Sequence, residues 1–422
     1  MMLAPRELSN ELREKTDTWV NQKLQYTHGY GLVMSPVAKE GKEGIPPLTI
    51  KDLPPAVSDD SLRVDQAAVY YGEMQDGFRI VNTGIKELDY PKGDENVYTN
   101  YAGEGGIPFS NWFRKLLFAW QLGDINILLS DYIKEDSRIQ LWQRVQERVQ
   151  KIVPFLSLDS DPYLVLNNGR MYWIQDAYTT SPDYPYSEPY RRDMNYIRNS
   201  VKVVVDAYNG NVDFYVSHPE DPIIQVYQDI FPDVFQPLDA MPEGLKSHLR
   251  YPQDLFQVQL EKYRTFHMTS PQVFYNREDL WTLPMEKYSG RPQKMEPYYI
   301  LSELPDQGRL QYMLISPYTP ENRDNMIAWM AAQCDFPNYG KLKVYKLPKE
   351  RLIYGPNQVE AKIDQDAEIS RQLSLWDQRG SKVVRGNLIV IPIENAFLYV
   401  EPVFLIAEGV DIPQLQRVIV SD

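Results

Sequence analysis

The chain has 422 residues, 43% apolar and 24% charged, values of a globular protein that exclude a disordered, collagenous or coiled-coil chain and make two or three domains the starting expectation. Its net charge of −14, from 44 basic and 58 acidic residues, argues against a phosphate-backbone binder and so against nucleic acid as a partner. A single cysteine, Cys334, excludes an internal disulfide and a cysteine-based zinc cage, and four histidines leave few imidazole sites.

The first element predicted is a surface helix over residues 6–25, with Leu8, Leu12, Trp19 and Leu24 among alternating charges. Residues 29–60, rich in Gly and Pro, read as an extended connector. Strand-like stretches follow at 68–72 and 78–83, separated by a turn at Asp76-Gly77. A Gly/Glu-rich loop at 103–106 leads to Ser110, expected to cap a helix with Phe113, Leu116, Leu117 and Trp120 on one face. Another helix is expected from near Asp136, lining up Ile139, Trp142, Val145, Val149 and Ile152.

The period then falls to two. Residues 163–166 and 171–176 flank Asn167-Asn168-Gly169 as a hairpin, and Val201, Val203 and Val205 alternate into Asn209-Gly210 before Val212, Phe214 and Val216 alternate back. Residues 221–283 are predicted mostly helical, with Pro252 at a first helical position. A hairpin is expected over 298–316. Thr319-Pro320-Glu321 reads as the start of a helix through Ala332, which contains the longest apolar run of the chain, 326–332. Strands at 342–347, 388–393 and 397–406 and a helix at 367–376 complete the pattern. Strands and helices come in blocks, so the expected class is α+β with antiparallel hairpins and segregated helices. Three regions are expected: 1–157, helix-rich; 158–318, with a helical insert at 221–283; and 319–422. No secretory leader pattern opens the chain, and no run approaches the roughly 20 apolar residues of a membrane helix.

No nucleophile elbow, P-loop, zincin or dinucleotide fingerprint is present. The catalytic candidates are His28, held among glycines and tyrosines, with Asp176 and Glu188 as carboxylates flanking a tyrosine- and proline-rich segment. That segment offers Tyr178, Tyr184, Tyr186 and Tyr190 as ring faces for a glycan or peptide, or else as rings pinning a loop over a sheet. Asp159 with Asp161, and Asp364 with Asp366, have the alternate spacing of calcium-binding oxygens, although the same acids serve as helix caps without any metal. No cofactor is otherwise evident. His267 extends a helical apolar stripe and is expected in the core.

Several long strings carry a family likeness. Tyr26-Thr27-His28-Gly29-Tyr30-Gly31, residues 154–165, 176–181, 195–210, 322–329 and 370–380 resemble the large soluble region of Uncharacterised Protein Family 0182, multi-pass membrane proteins of bacteria and archaea. The resemblance implies a region cut from a longer parent in the cell membrane, lying on the extracytoplasmic side, with its own transmembrane half as one partner. It brings no reaction and no catalytic residues. The expected function is therefore a binding module for an envelope glycan, lipid or protein, with a carboxylate-based hydrolase of an envelope polymer as the alternative.

Overall fold

Alternating valines need an apolar layer beneath them, and the valines of 201–205 find one at the centre of a six-stranded sheet. A computed structural model describes residues 1–8, 18–37, 46–305, 307–348, 350–378, 380–394, 396–409 and 413–422. The described residues fall into two compact units, one holding most of those up to His248 and the other those from Leu249 to Asp422. The expected divisions at 157 and 318 both fall inside these units. The class is α+β, as expected.

In the first unit the sheet runs β1 (Ser157–Leu158), β3 (Arg170–Ser181), β4 (Tyr196–Asp206), β5 (Val212–Val216), β6 (Phe235–Pro237), with β2 (Tyr163–Asn167) also on β3. All its pairings are antiparallel except β5 with β6. Val201, Val203, Val205, Trp173 and Phe214 pack against Val145, Val149 and Val153 and against Leu32 and Ile50. Each such side chain contributes ~1.5–3 kcal/mol by leaving water. The β2–β3 hairpin forms where expected, on a turn one residue tighter than Asn167-Asn168-Gly169: Asn167 faces Arg170 across the ladder, and Asn168 and Gly169 both have positive φ, 49° and 75°. The β4–β5 hairpin also forms, but on a wider turn than a two-residue Asn-Gly. Its last rung is Val205 with Val212, Gly210 N–H donates to the Asp206 carbonyl, and Gly210 takes φ 71°.

Several local expectations change. Of the helix expected over 6–25, residues 9–17, with Leu12, lie outside the described residues; among the described ones 19–25 are helical, with Leu24 in the core. The connector at 29–60 contains short strands: Leu32–Ser35 pairs with Met2–Pro5 and with Ile50–Lys51. Asn111, not Ser110, caps helix α1 (Trp112–Leu122) by accepting from Arg114 N–H. The helix expected from Asp136 is a strand, Arg138–Leu141, before it becomes α3 (Val145–Ile152), following the four-residue α2 (Asn126–Leu129). Ile139 is buried from that strand whereas Trp142 is exposed, so the apolar spacing there does not mark one helix face.

In the second unit, Pro252 is the N-cap of the helix Gln253–Phe266, one place before the expected position. The 298–316 hairpin is present as Tyr298–Glu303 with Leu310–Pro320; the turn residue Asp306 lies outside the described residues. The helix expected through Ala332 is instead the central strand Ala328–Gln333, every residue of it buried, paired on both sides. A strand covered on both faces has no reason to alternate, so its continuous apolar run reads like a buried helix. The helix Ala367–Trp376 matches its expected bounds, and the preceding helix Pro356–Gln365 was not anticipated. Ser381–Arg385, Ile389–Ile393, Ala396–Ala407 and Gln414–Ser421 form the four-stranded sheet that ends the chain.

Candidate functional site

Strands β3 and β4 pair along nearly their whole length, shift register between Ala177 and Thr179, and open into an excursion over 182–195. Asn195 staples that loop. Its Oδ1 accepts from Tyr184 N–H at 2.9 Å, its Nδ2 donates to the Tyr184 carbonyl at 2.8 Å, and its own carbonyl accepts from Ser187 Oγ at 2.7 Å. Tyr184 stacks on Tyr196 with ring centres 4.8 Å apart. Tyr186, at the tip, is fully exposed and has φ 59°, a left-handed conformation costly for a bulky residue. Tyr190 is half-buried. Tyr178 faces inward and donates its hydroxyl to Asp159, so it offers no face to a ligand.

Beneath the loop lies a buried acceptor. Asp221 receives the hydroxyls of Thr179 (2.5 Å), Ser200 (2.6 Å) and Tyr196 (2.6 Å) and the N–H of Ile223. Burial alone would raise its carboxyl; the hydroxyl donors outweigh that and hold it below the usual carboxylate range. Tyr196 therefore ties the exposed Tyr184 ring to a fixed interior point.

His28, Asp176 and Glu188 take part in different arrangements. His28 is buried in the tyrosine cluster of Tyr70, Tyr101 and Tyr208, stacked on Tyr70 at 4.4 Å, with Nε2 3.3 Å from Asp89 and Nδ1 2.9 Å from Thr27 Oγ1. Glu87 completes the knot, accepting from Thr27, Tyr70 and the N–H groups of Asn82 and Tyr101. Burial disfavours the imidazolium, but the two carboxylates prevail and raise the His28 pKa. Asp176 forms a buried ion pair with Lys202, its partner across the ladder. Glu188 is exposed in the tyrosine loop. His267 is buried and stacks on Trp281 at 3.7 Å, a core histidine as expected.

The aspartates proposed for a cation have protein roles. Asp159 accepts from Tyr178 and from Asp161 N–H, Asp364 is paired with Arg385 and Lys287, and Asp366 caps Ala367–Trp376 by accepting from Glu368 and Ile369 N–H. Among the described residues no three His, Cys, Asp or Glu side chains are gathered to hold a metal ion. The glycines at 103 and 105 are packing residues: a Cβ at either would meet Asn209 and the Tyr101 hydroxyl well inside van der Waals distance.

Sequence reasoning named Asp364 but missed the charged cluster to which it belongs. Arg385, with Glu401 and Glu360 fully buried beside it, binds both of these carboxylates and Asp364. Glu360 and Asp364 share a helix face at i, i+4, the only local trace of the cluster; Arg385 and Glu401 join from separate strands.

Residues 1–376 match the uncharacterised protein family UPF0182. Proteins bearing that family name are similar over the whole chain or nearly so: 59% identical in Salinibacter ruber, 53% in Pelotomaculum thermopropionicum and 48% in Methanospirillum hungatei, covering 100%, 100% and 99% of this chain and 45%, 46% and 47% of theirs. The chain thus spans a little under half the length of these curated relatives. No solved structure matches it.

Proposed function

The chain belongs to the uncharacterised protein family UPF0182, and from that membership we propose that it is the extracytoplasmic binding module of a membrane protein, holding an envelope glycan on the tyrosine loop at 182–195. The observation carrying this reading is Tyr186, a large ring fully exposed on a strained backbone, beside a Tyr184 ring pre-set by Tyr196 and Asn195. Folding alone gains nothing from presenting Tyr186 to water in that conformation, whereas a sugar ring can stack on it at little further entropic cost. The placement in a membrane protein rests on the resemblance of the long strings above; among the described residues no helix is long and apolar enough to cross a bilayer. The hydrolase alternative gains no support, because His28 and Asp176 sit in separate buried networks.

The test is co-sedimentation of the chain with isolated peptidoglycan sacculi. Retention is expected for the parent and a loss of about tenfold or more for Tyr184→Ala/Tyr186→Ala, with the melting temperature unchanged. Equal retention of both proteins removes the tyrosine loop as the binding surface.

A further inference from the structure

Helix α1 carries eight apolar residues in eleven, and its own core covers only part of them. Ala119, Phe118 and Leu122 pack inward with Phe109, Ile127 and Leu128. On the other side Trp112 is 68% exposed, Trp120 79% and Leu129 of α2 71%, with Phe113, Leu117 and Ile125 also exposed. Three of the four residues that the sequence places together on one helix face, Phe113, Leu117 and Trp120, are among these exposed side chains. Phe113, Leu117 and Trp120 repeat at i, i+4, i+7 and form one stripe. A helix apolar all round is normally covered all round, and a continuous apolar patch on a soluble surface marks a docking site.

The patch is held in a fixed shape. Gly123 ends α1 in the left-handed conformation, Lys115 Nζ donates to the Ser130 carbonyl at 2.8 Å, and Trp19 Nε1 donates to Asp124 at 2.7 Å. Helix α1 itself carries two cations, Arg114 and Lys115, and no acid; the nearest acids lie beyond its end, Asp124 bound by Trp19 and Asp131 beside Lys115. Indole and aliphatic side chains on one face, with the helix's only charges cationic, is the composition of a helix lying in the headgroup layer of an anionic bilayer.

We propose that the exposed face of α1 and α2 docks into the surface of a phospholipid bilayer, with Trp112, Trp120 and Leu129 reaching the acyl boundary and Arg114 meeting lipid phosphate. This surface is separate from the tyrosine loop, and it rests on the membrane reading above only in its choice of occupant. The experiment is flotation of the whole chain with phosphatidylcholine vesicles, with and without phosphatidylglycerol, with tryptophan emission recorded alongside. Flotation with the anionic vesicles and a blue-shifted emission are expected. Trp112→Ser/Trp120→Ser should weaken association by about tenfold or more, as should Phe113→Ser/Leu129→Ser, with circular dichroism unchanged. Tyr184→Ala/Tyr186→Ala should float like the parent, so that failure of the glycan reading and failure of this one remain distinct. The proposal is overturned if the parent stays in solution with both lipids, or if the tryptophan variant floats equally well. A parent dimer that the tryptophan variant abolishes, without lipid binding, would overturn it in favour of a second copy.

Discussion

Glu360 carries the chain's clearest pH signature. Burial and the neighbouring Glu401 charge raise its carboxyl to about 7, with Arg385 pulling the other way. The folded chain then keeps a proton that the unfolded chain releases from about 4.5 upward, so stability falls as pH rises from about 4.5 to about 7 and levels off above that. Glu286 and Glu401, also raised, act in the same direction. Urea midpoints across that range should show the parent losing up to about 3 kcal/mol from this group, with Glu360→Gln flattening the slope. An unchanged slope would mean Arg385 keeps Glu360 ionised throughout. Asp221→Ala strips the acceptor from three hydroxyls at once and should cost about 3 kcal/mol in urea unfolding; a cost under about 1 kcal/mol would show that those hydroxyls find other partners. Neither group was legible in the sequence. Asp221 looks like a simple helix start before Pro222, and the hydroxyls it gathers are 21 to 42 residues away.

At the scale of elements, local chemistry was readable and tertiary burial was not. Asn168-Gly169 and the valine alternation fix their hairpins because turn and strand signals act within a few residues. The strands Ala328–Gln333 and Arg138–Leu141 were mistaken for helix because burial on both faces, or a neighbouring helix, erases the two-residue period. Gly210 shows how a turn is locked by a distant contact: it has φ 71°, and a Cβ there would lie 2.4 Å from the Tyr71 ring, over which Arg148 stacks at 4.6 Å. Gly210→Ala should therefore cost about 2–4 kcal/mol, against about 1–2 kcal/mol for Gly93→Ala, which has φ 62° and open space around it. Thermal or urea unfolding of the two variants measures the difference, and equal costs would show that Tyr71 moves aside freely.

For the molecule as a whole, the family was legible because its strings are long and spread along the chain, whereas the unit boundary near 248 was not, since it falls inside a stretch read as one helical block. Of the candidate site, the tyrosine segment was legible, but the inward Tyr178, on a strand, could not be separated from the outward Tyr184 and Tyr186, which lie beyond the strand's end at Ser181. The apolar face of α1 was legible from its spacing, but spacing alone does not tell which side of the helix the protein covers. The proposed function requires this region to face outward from the cell as part of a membrane protein. The sole cysteine of this chain, Cys334, is buried, so the full-length protein carrying Tyr186→Cys can be treated in intact cells with a membrane-impermeant maleimide, with the full-length protein lacking that substitution giving the background. Labelling of Cys at that position without lysis is the result predicted; labelling that appears only after the cells are broken would contradict the claim.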